Sequence, residues 1–460
     1  MKVGLILILL VLNALYAWAS PTSIDKDGML VVNGDRCFIL GLYQQAGDDD
    51  FASEVAQAGF NLICAGQSVE ALDRAQAHGL QCWIPLGGIA VSSDAQEKKL
   101  QSVVDSFKSH PALAVWEGPD ETLWNVWWSR WNRAVKRWDE VEKAVGEYKK
   151  SHSDSESLDT MFRAWRRYKE SARYELSEEV EGKIRQIVGL PQADERISEW
   201  RTFLDPLFDG LKRGTGLVRR TDPDHVIWFN HAPRNTMEDL TRFGTVADIV
   251  GCDIYPVPFG PKTGHSDLAE RNLASVGRFT ERMAQSAPGK PAWMVLQGFG
   301  WNDLSEERSS PDRPSYNETR YMAYNAIIHG ARGILYWGTA YIERDSELWT
   351  DIKKVVSELR DLQPLLASPD ATNRVKLNMH PTSGSGELEI VLLAKERDGE
   401  WMFIVENESG QAREFDISGL ESLNGRKVEV LNEDETIEVK NGRLAYGLRG
   451  QGVSVLITKP

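Results

Sequence analysis

From Gly28 onward the chain alternates short apolar runs with longer stretches in which apolar residues recur every three or four positions. The runs are Phe38–Gly41, Leu62–Ala65, Cys82–Pro85, Leu113–Trp116, Val226–Asn230, Ile249–Asp253, Trp293–Gln297 and Gly333–Trp337, each short enough for one buried strand. Between them, Asp50–Ala58, Val69–His78, Asp94–Ser109, Ala269–Gln285 and Thr319–Gly330 carry the helical period. Buried strands separated by amphipathic helices predict an α/β fold with a parallel sheet. Eight of them predict a (β/α)8 TIM barrel over residues 24–365.

Such a barrel takes about 250 residues, and the surplus lies between Thr122 and Pro206. There Trp124, Trp127, Trp128, Trp131, Trp138, Val141 and Val145 form a near-heptad stripe, followed by Leu158, Met161, Phe162 and Trp165, then Ile197, Trp200 and Leu204. The pattern predicts a helical insertion after the fourth strand, about residues 123–206, whose aromatics pack on one another. Beyond Leu365 the segments shorten and turn signals such as Asp398-Gly399 and Asn441-Gly442 separate them. Residues 370–460 are therefore expected to form an accessory β-sandwich that braces the barrel.

At the other end, Lys2 precedes an apolar run from Val3 to Leu12, and Ala17-Trp18-Ala19 supplies small residues for cleavage. Residues 1–19 read as a signal peptide, which makes the protein secreted or periplasmic. The run is short for a bilayer span of about 20 residues. A formal charge of −15 argues against nucleic acid or an anionic membrane as partner. Cys37, Cys64, Cys82 and Cys252 lie in apolar runs without metal-site spacing and are expected as small buried hydrophobes. Neither a metal cluster nor a phosphate-binding glycine loop is apparent, so no metal or other cofactor is expected. Two sequons begin at Asn317 and Asn407.

In a TIM barrel, chemistry gathers just after the C-terminal ends of the strands. Those ends carry Tyr43 after strand one, Glu117, Asp120 and Glu121 after strand four, and Asn230-His231 after strand five. Strand six ends in Asp253-Ile254-Tyr255, strand seven in Gln297 with Trp301 beyond it, and strand eight in Trp337. Carboxyl groups among aromatic and amide side chains suit acid/base work on a glycosidic bond, with stacking faces for sugar rings. The plainer alternative for Asp120-Glu121 is a helix start, with Asp120 capping and Glu121 in the first turn. Trp116 is expected to line the cleft and to desolvate Glu121.

The segments Val32–Phe38, His110–Trp116, Gly118-Pro119-Asp120-Glu121, Asp248–Pro256 and Gly333–Trp337 together resemble the large retaining clan of (β/α)8 glycoside hydrolases with a C-terminal β-sandwich. The resemblance covers roughly residues 28–460 apart from the insertion. It implies that Glu121 is the general acid/base, with Asp120 where the clan has Asn. It also implies a carbohydrate substrate. The clan's strand-seven nucleophile is a Glu, and here that place is Gln297, which cannot ionise. Three alternatives follow. Asp253, or Glu117, is the second carboxyl. Or the substrate's own 2-acetamido group attacks, as in the hexosaminidases with an Asp-Glu pair at strand four, with Tyr255 or Gln297 binding its oxygen. Or the chain is a non-catalytic carbohydrate-binding protein on a glycosidase scaffold. The tryptophans of the insertion serve either as sugar platforms or as a contact between copies of the chain.

Overall fold

The computed structural model describes residues 21–45, 47–152, 156–233, 235–258, 272–304, 312–380 and 390–458. Residues 1–19, expected as a signal peptide, lie outside them. Eight strands, β1 (Ile39–Gln45), β2 (Leu62–Cys64), β3 (Gln81–Pro85), β4 (Leu113–Glu117), β5 (Val226–His231), β6 (Ile249–Ile254), β7 (Ala292–Gln297) and β8 (Ala331–Trp337), form a closed barrel. Neighbours pair in parallel and in chain order, and β8 closes on β1 with Gly333 opposite Ile39. The fold is the expected TIM barrel.

Helices α1 (Asp49–Ala58), α2 (Val69–Ala77) and α3 (Asp94–Phe107) follow β1, β2 and β3. Each begins where the sequence offers a cap. Asp48, Ser68 and Ser93 accept from the backbone N–H three residues on. The inserted helices are α4 (Thr122–Ser151), α5 (Glu156–Glu170) and α6 (Tyr174–Val188), and α7 (Leu204–Thr221) leads into β5. Later come α8 (Met237–Gly244), α9 (Ser275–Ser286), α10 (Tyr316–Ile328) and α11 (Glu347–Asp361).

Aromatic rings from alternate strands fill the barrel interior. Tyr43 of β1 packs on Trp83 of β3 at 4.7 Å between centroids, Trp83 on Trp228 of β5 at 5.8 Å, and Trp228 on Trp293 of β7 at 5.6 Å. These strands are not neighbours in the sheet, so their rings meet only across the interior, as one of the stacked layers of such barrels. Glycines make room for them. A Cβ on Gly251 of β6 would stand 2.5 Å from the Trp293 carbonyl oxygen and 2.7 Å from Trp228 Nε1. One on Gly333 of β8 would stand 2.9 Å from Trp293. This layer is the floor beneath the C-terminal strand ends.

After the barrel come β9 (Lys376–Met379), β10 (Ile390–Arg397), β11 (Glu400–Asn407), β12 (Arg413–Ser418), β13 (Lys427–Val430), β14 (Thr436–Glu438), β15 (Arg443–Leu448) and β16 (Val453–Thr458). They make two antiparallel sheets, β9-β12-β15 and β10-β11-β16-β13-β14, around a shared core that includes Trp401, Phe403, Phe415 and Leu456. Barrel and sandwich form one compact unit, and Glu121–Arg213 forms another. Inside that second unit Ala134, Trp138, Val141 and Val145 of α4 pack with Leu158, Trp165 and Ile184. Arg185 and Arg137 donate to the buried Glu181 carboxylate at 2.9 and 3.0 Å, so its charge is paired.

All four cysteines are free thiols, three of them buried. Asn407 of the second sequon is buried, and its amide donates to the carbonyls of Gln411, Leu448 and Arg449. It has no amide hydrogen to spare for a glycan.

Candidate active site

Side chains on a strand alternate between faces, so residues two positions apart share one. Two positions beyond Trp228 on β5 is Asn230, and two beyond Gly251 on β6 is Asp253. Both rise toward the mouth from the aromatic floor. Asn230 Nδ2 donates to Asp120 Oδ1 at 2.8 Å and also to Asp253 Oδ1. Two carboxyl oxygens within hydrogen-bond reach of one nitrogen are at most about 6 Å apart. The Tyr255 hydroxyl donates to the other oxygen of Asp253 at 2.8 Å. On β4, Glu117 is buried and accepts from the Tyr43 hydroxyl. Burial and the neighbouring Asp120 charge push the Glu117 carboxyl well above the ordinary carboxylate range, with a smaller push from Asp253. Both effects favour the uncharged form of this carboxyl. Burial and the Glu117 carboxyl likewise raise the Tyr43 phenol, which stays protonated.

An aromatic wall adjoins this group. Trp337 stacks on Tyr255 at 5.6 Å, and Phe299 meets Tyr255, Trp301 and Trp337 edge-on at 5.2, 5.1 and 5.1 Å. Trp301 and Trp337 remain partly exposed, which leaves ring surface for a ligand. Tyr43, Glu117, Asp120, Asn230, Asp253, Tyr255, Trp301 and Trp337 are therefore brought together as expected from their strand-end positions.

Two expected site residues are elsewhere, and a third is committed to backbone. Trp116 precedes Glu117 by one position and so faces outward. It is fully buried, and its indole donates to Asp222 Oδ2 at 2.7 Å. It neither lines the cleft nor desolvates a residue there. His231 shares the outward face of β5 with Phe229, is buried, and burial pushes its ring down to about 4. Gln297 does face inward, but its oxygen accepts from the Val257 N–H at 2.9 Å and its nitrogen donates to the carbonyls of Val257 and Phe299 at 2.6 and 3.0 Å. Both amide hydrogens are spent on backbone, and the side chain ties the loop after β6 to the loop after β7. Residues not anticipated are Trp83, Trp228 and Trp293 in the floor and Phe299 in the wall. Their spacing of two from Pro85, Asn230 and Val295 was the available signal for the floor.

The residue at the N-terminal cap of α4 is Glu121 and not Asp120, one of whose carboxylate oxygens is held by Asn230. Glu121 belongs to the inserted unit, where it precedes α4 without a side-chain capping bond. Its φ of 46° is in the left-handed region, a conformation that costs a non-glycine residue about 1–3 kcal/mol. Among the described residues, no three His, Cys, Asp or Glu side chains are grouped to hold a metal ion.

Residues 92–347 match the family Glyco_hydro_42, described as Beta-galactosidase. No curated protein sequence matches the chain. Among solved structures, one named "Glycoside hydrolase" superposes with a TM-score of 0.53 at 14% identity, covering 95% of this chain and 96% of that one. A glycoside hydrolase family 5 protein from Bacteroides vulgatus gives 0.52 at 14%, covering 95% and 93%. A catalytic mutant of Gan42B, a GH42 beta-galactosidase from G. stearothermophilus, gives 0.51 at 10%, covering 92% and 98%. At these identities the structural likeness is one of fold.

Proposed function

The chain belongs to this glycoside hydrolase 42 family, and on that premise we propose a secreted or periplasmic enzyme that hydrolyses O-glycosidic bonds of oligo- or polysaccharides. Glu121 is its general acid/base and Asp253 its second carboxyl. The observation that carries this is the gathering of Glu117, Asp120 and Asp253 around Tyr43 and Asn230 at the C-terminal mouth of the barrel. The family's description and the name of one fold relative make β-galactosides the first substrates to test. Export rests on the pattern of residues 1–19.

Glu121 gives its proton to the glycosidic oxygen as the bond to the anomeric carbon breaks, and the leaving sugar departs as an alcohol. The Asp253 carboxylate attacks the anomeric carbon and forms a glycosyl ester. Water then displaces Asp253 and returns a proton to Glu121. Three observations favour Asp253. Burial and the Asp120 charge disfavour the ionised form of Glu117 that a nucleophile needs. Asn230 and Tyr255 hold the Asp253 carboxyl from both sides. The groups that would bind a substrate acetamide are already committed, Tyr255 to Asp253 and Gln297 to backbone. The left-handed backbone of Glu121 is the kind of strain retained at functional positions.

The test is hydrolysis of an aryl-glycoside panel, β-galactoside first, by wild type and Asp253→Asn. Cleavage that falls at least about a hundredfold in Asp253→Asn supports the assignment. Wild type that binds sugars without cleaving any panel member supports a binding protein instead.

A further inference from the structure

Where helix α10 of the barrel meets the sandwich, a cavity of about 970 Å³ opens beside β14 and β15. Each of these is an edge strand, one in each sheet, so the cavity enters the sandwich where neither sheet continues. Its volume lies at the upper end of the range for ligand pockets, about 300–1,000 Å³. Bonds between barrel and sandwich fix its walls. Arg320 of α10 donates to the Val453 carbonyl at 2.9 Å and to the Glu358 carboxylate at 2.8 Å, and Asn432 donates to the same carboxylate at 2.9 Å. A cleft braced in this way needs little ordering when a ligand enters.

The lining narrows the ligand. Glu433 and Glu435 carry no side-chain hydrogen bond or ion pair among the described residues. Burial raises the Tyr446 phenol and the charges of these two carboxylates add to it, which puts both near this ring. Arg443 spends one nitrogen on the Asp416 carboxylate and Arg449 one on the Asn317 amide oxygen, at 3.3 Å each, and the rest of each guanidinium fork has no partner among the described residues. Tyr316 of α10 and Tyr446 of β15 add partly exposed rings. Unpaired carboxylates repel an anion, and guanidinium groups repel a cation. A sugar hydroxyl donates to the first and accepts from the second, and the C–H face of its ring stacks on a tyrosine. We propose that this cleft is a second saccharide site, which takes a short neutral oligosaccharide and gives the sandwich a binding role besides bracing the barrel. It shares no residue with the barrel mouth, so it stands whether or not Glu121 and Asp253 cleave a glycoside.

The experiment is hydrogen–deuterium exchange of the full-length protein, made in a host that leaves Asn317 in the cleft wall unglycosylated. The probes are thio-linked galactotriose and cellotriose, which resist hydrolysis, with trigalacturonate and a glucosamine trimer as charged counterparts. At least one neutral trisaccharide is expected to slow exchange in peptides covering residues 431–449. Glu435→Ala and Arg443→Ala, both at exposed positions, should each raise the concentration for half-protection there about tenfold. Exchange at the strand ends of the barrel mouth is the control, and its response to sugar should be the same in all three proteins. Protection that is absent from 431–449, equal there in wild type and both variants, or given only by a charged trimer overturns the proposal. A wild type that cleaves no glycoside but shows the expected protection upholds the cleft, and only the glycosidase assignment then fails.

Discussion

Adding one methyl group to the barrel floor tests whether packing and the site are coupled as described. In Gly251→Ala the new Cβ would stand 2.5 Å from the Trp293 carbonyl oxygen, 2.7 Å from Trp228 Nε1 and 3.3 Å from Asn230 Oδ1. Comfortable contacts between heavy atoms begin near 3.5 Å. The closest neighbour is backbone in the middle of a barrel strand and cannot swing away. The strain should cost about 1–3 kcal/mol, as overpacking of a close-packed core does. The third contact carries the effect to the site, because Asn230 holds Asp120 and Asp253 through one amide nitrogen. Gly146→Ala is the matched control. Its Cβ would meet nothing within 4 Å in the middle of α4, where alanine is favoured over glycine by about 0.8–1 kcal/mol. Thermal unfolding and glycosidase kcat would be measured for both variants. Gly251→Ala should melt several degrees lower and lose at least half its kcat, and Gly146→Ala should melt no lower than wild type. A Gly251→Ala protein with wild-type melting and kcat would refute the packing argument.

Glu117→Gln should keep kcat/KM within about threefold at pH 7, because burial and the Asp120 charge favour the uncharged form that the amide mimics, and a hundredfold loss would show that Glu117 acts as a carboxylate. Asn407→Ala strips hydrogen bonds from three carbonyls and should lower stability by about 1–3 kcal/mol in denaturant titration, while peptide mapping from a glycosylating host should find Asn407 unmodified. His329 of the barrel unit lies between Glu408 and Glu281, at 3.0 and 2.8 Å, and these partners raise its pKa above 6.5 despite burial. A raised folded-state pKa stabilises fully below the unfolded value and is lost as pH rises through the folded one. The melting temperature should therefore fall more steeply above pH 6.5 in wild type than in His329→Asn, and parallel curves would contradict the pairing.

The barrel was legible because strands buried on both faces must be apolar throughout, which makes short runs stand out between amphipathic helices. The sandwich was legible from shortened segments and turn dipeptides. Which face each residue occupies was legible too, but only by counting in twos. Counting from Glu117 puts Trp116 outward, against Asp222, and counting from Asn230 puts His231 outward beside Phe229. The same count places Trp83, Trp228 and Trp293 inside. Gln297 had the right parity. Its commitment to Val257 and Phe299 depends on how two loops fold over it, which no local pattern encodes. The upward shift of Glu117 was hidden for a similar reason, since it depends on burial by the whole barrel and on Asp120 and Asp253 brought near by the fold. Gly251 and Gly333 carry no signal of their own until the rings they accommodate are placed.

The most direct test of the central claim is the leaving-group dependence of hydrolysis by Glu121→Gln. A general acid matters most where the departing oxygen is basic, and is worth about 10²–10⁴-fold there. The account expects Glu121→Gln to lose that much kcat/KM on glycosides with alkyl or sugar leaving groups and to keep most of it on dinitrophenyl glycosides, which depart unaided. An equal loss on both kinds of substrate, or no loss on either, would contradict Glu121 as the acid.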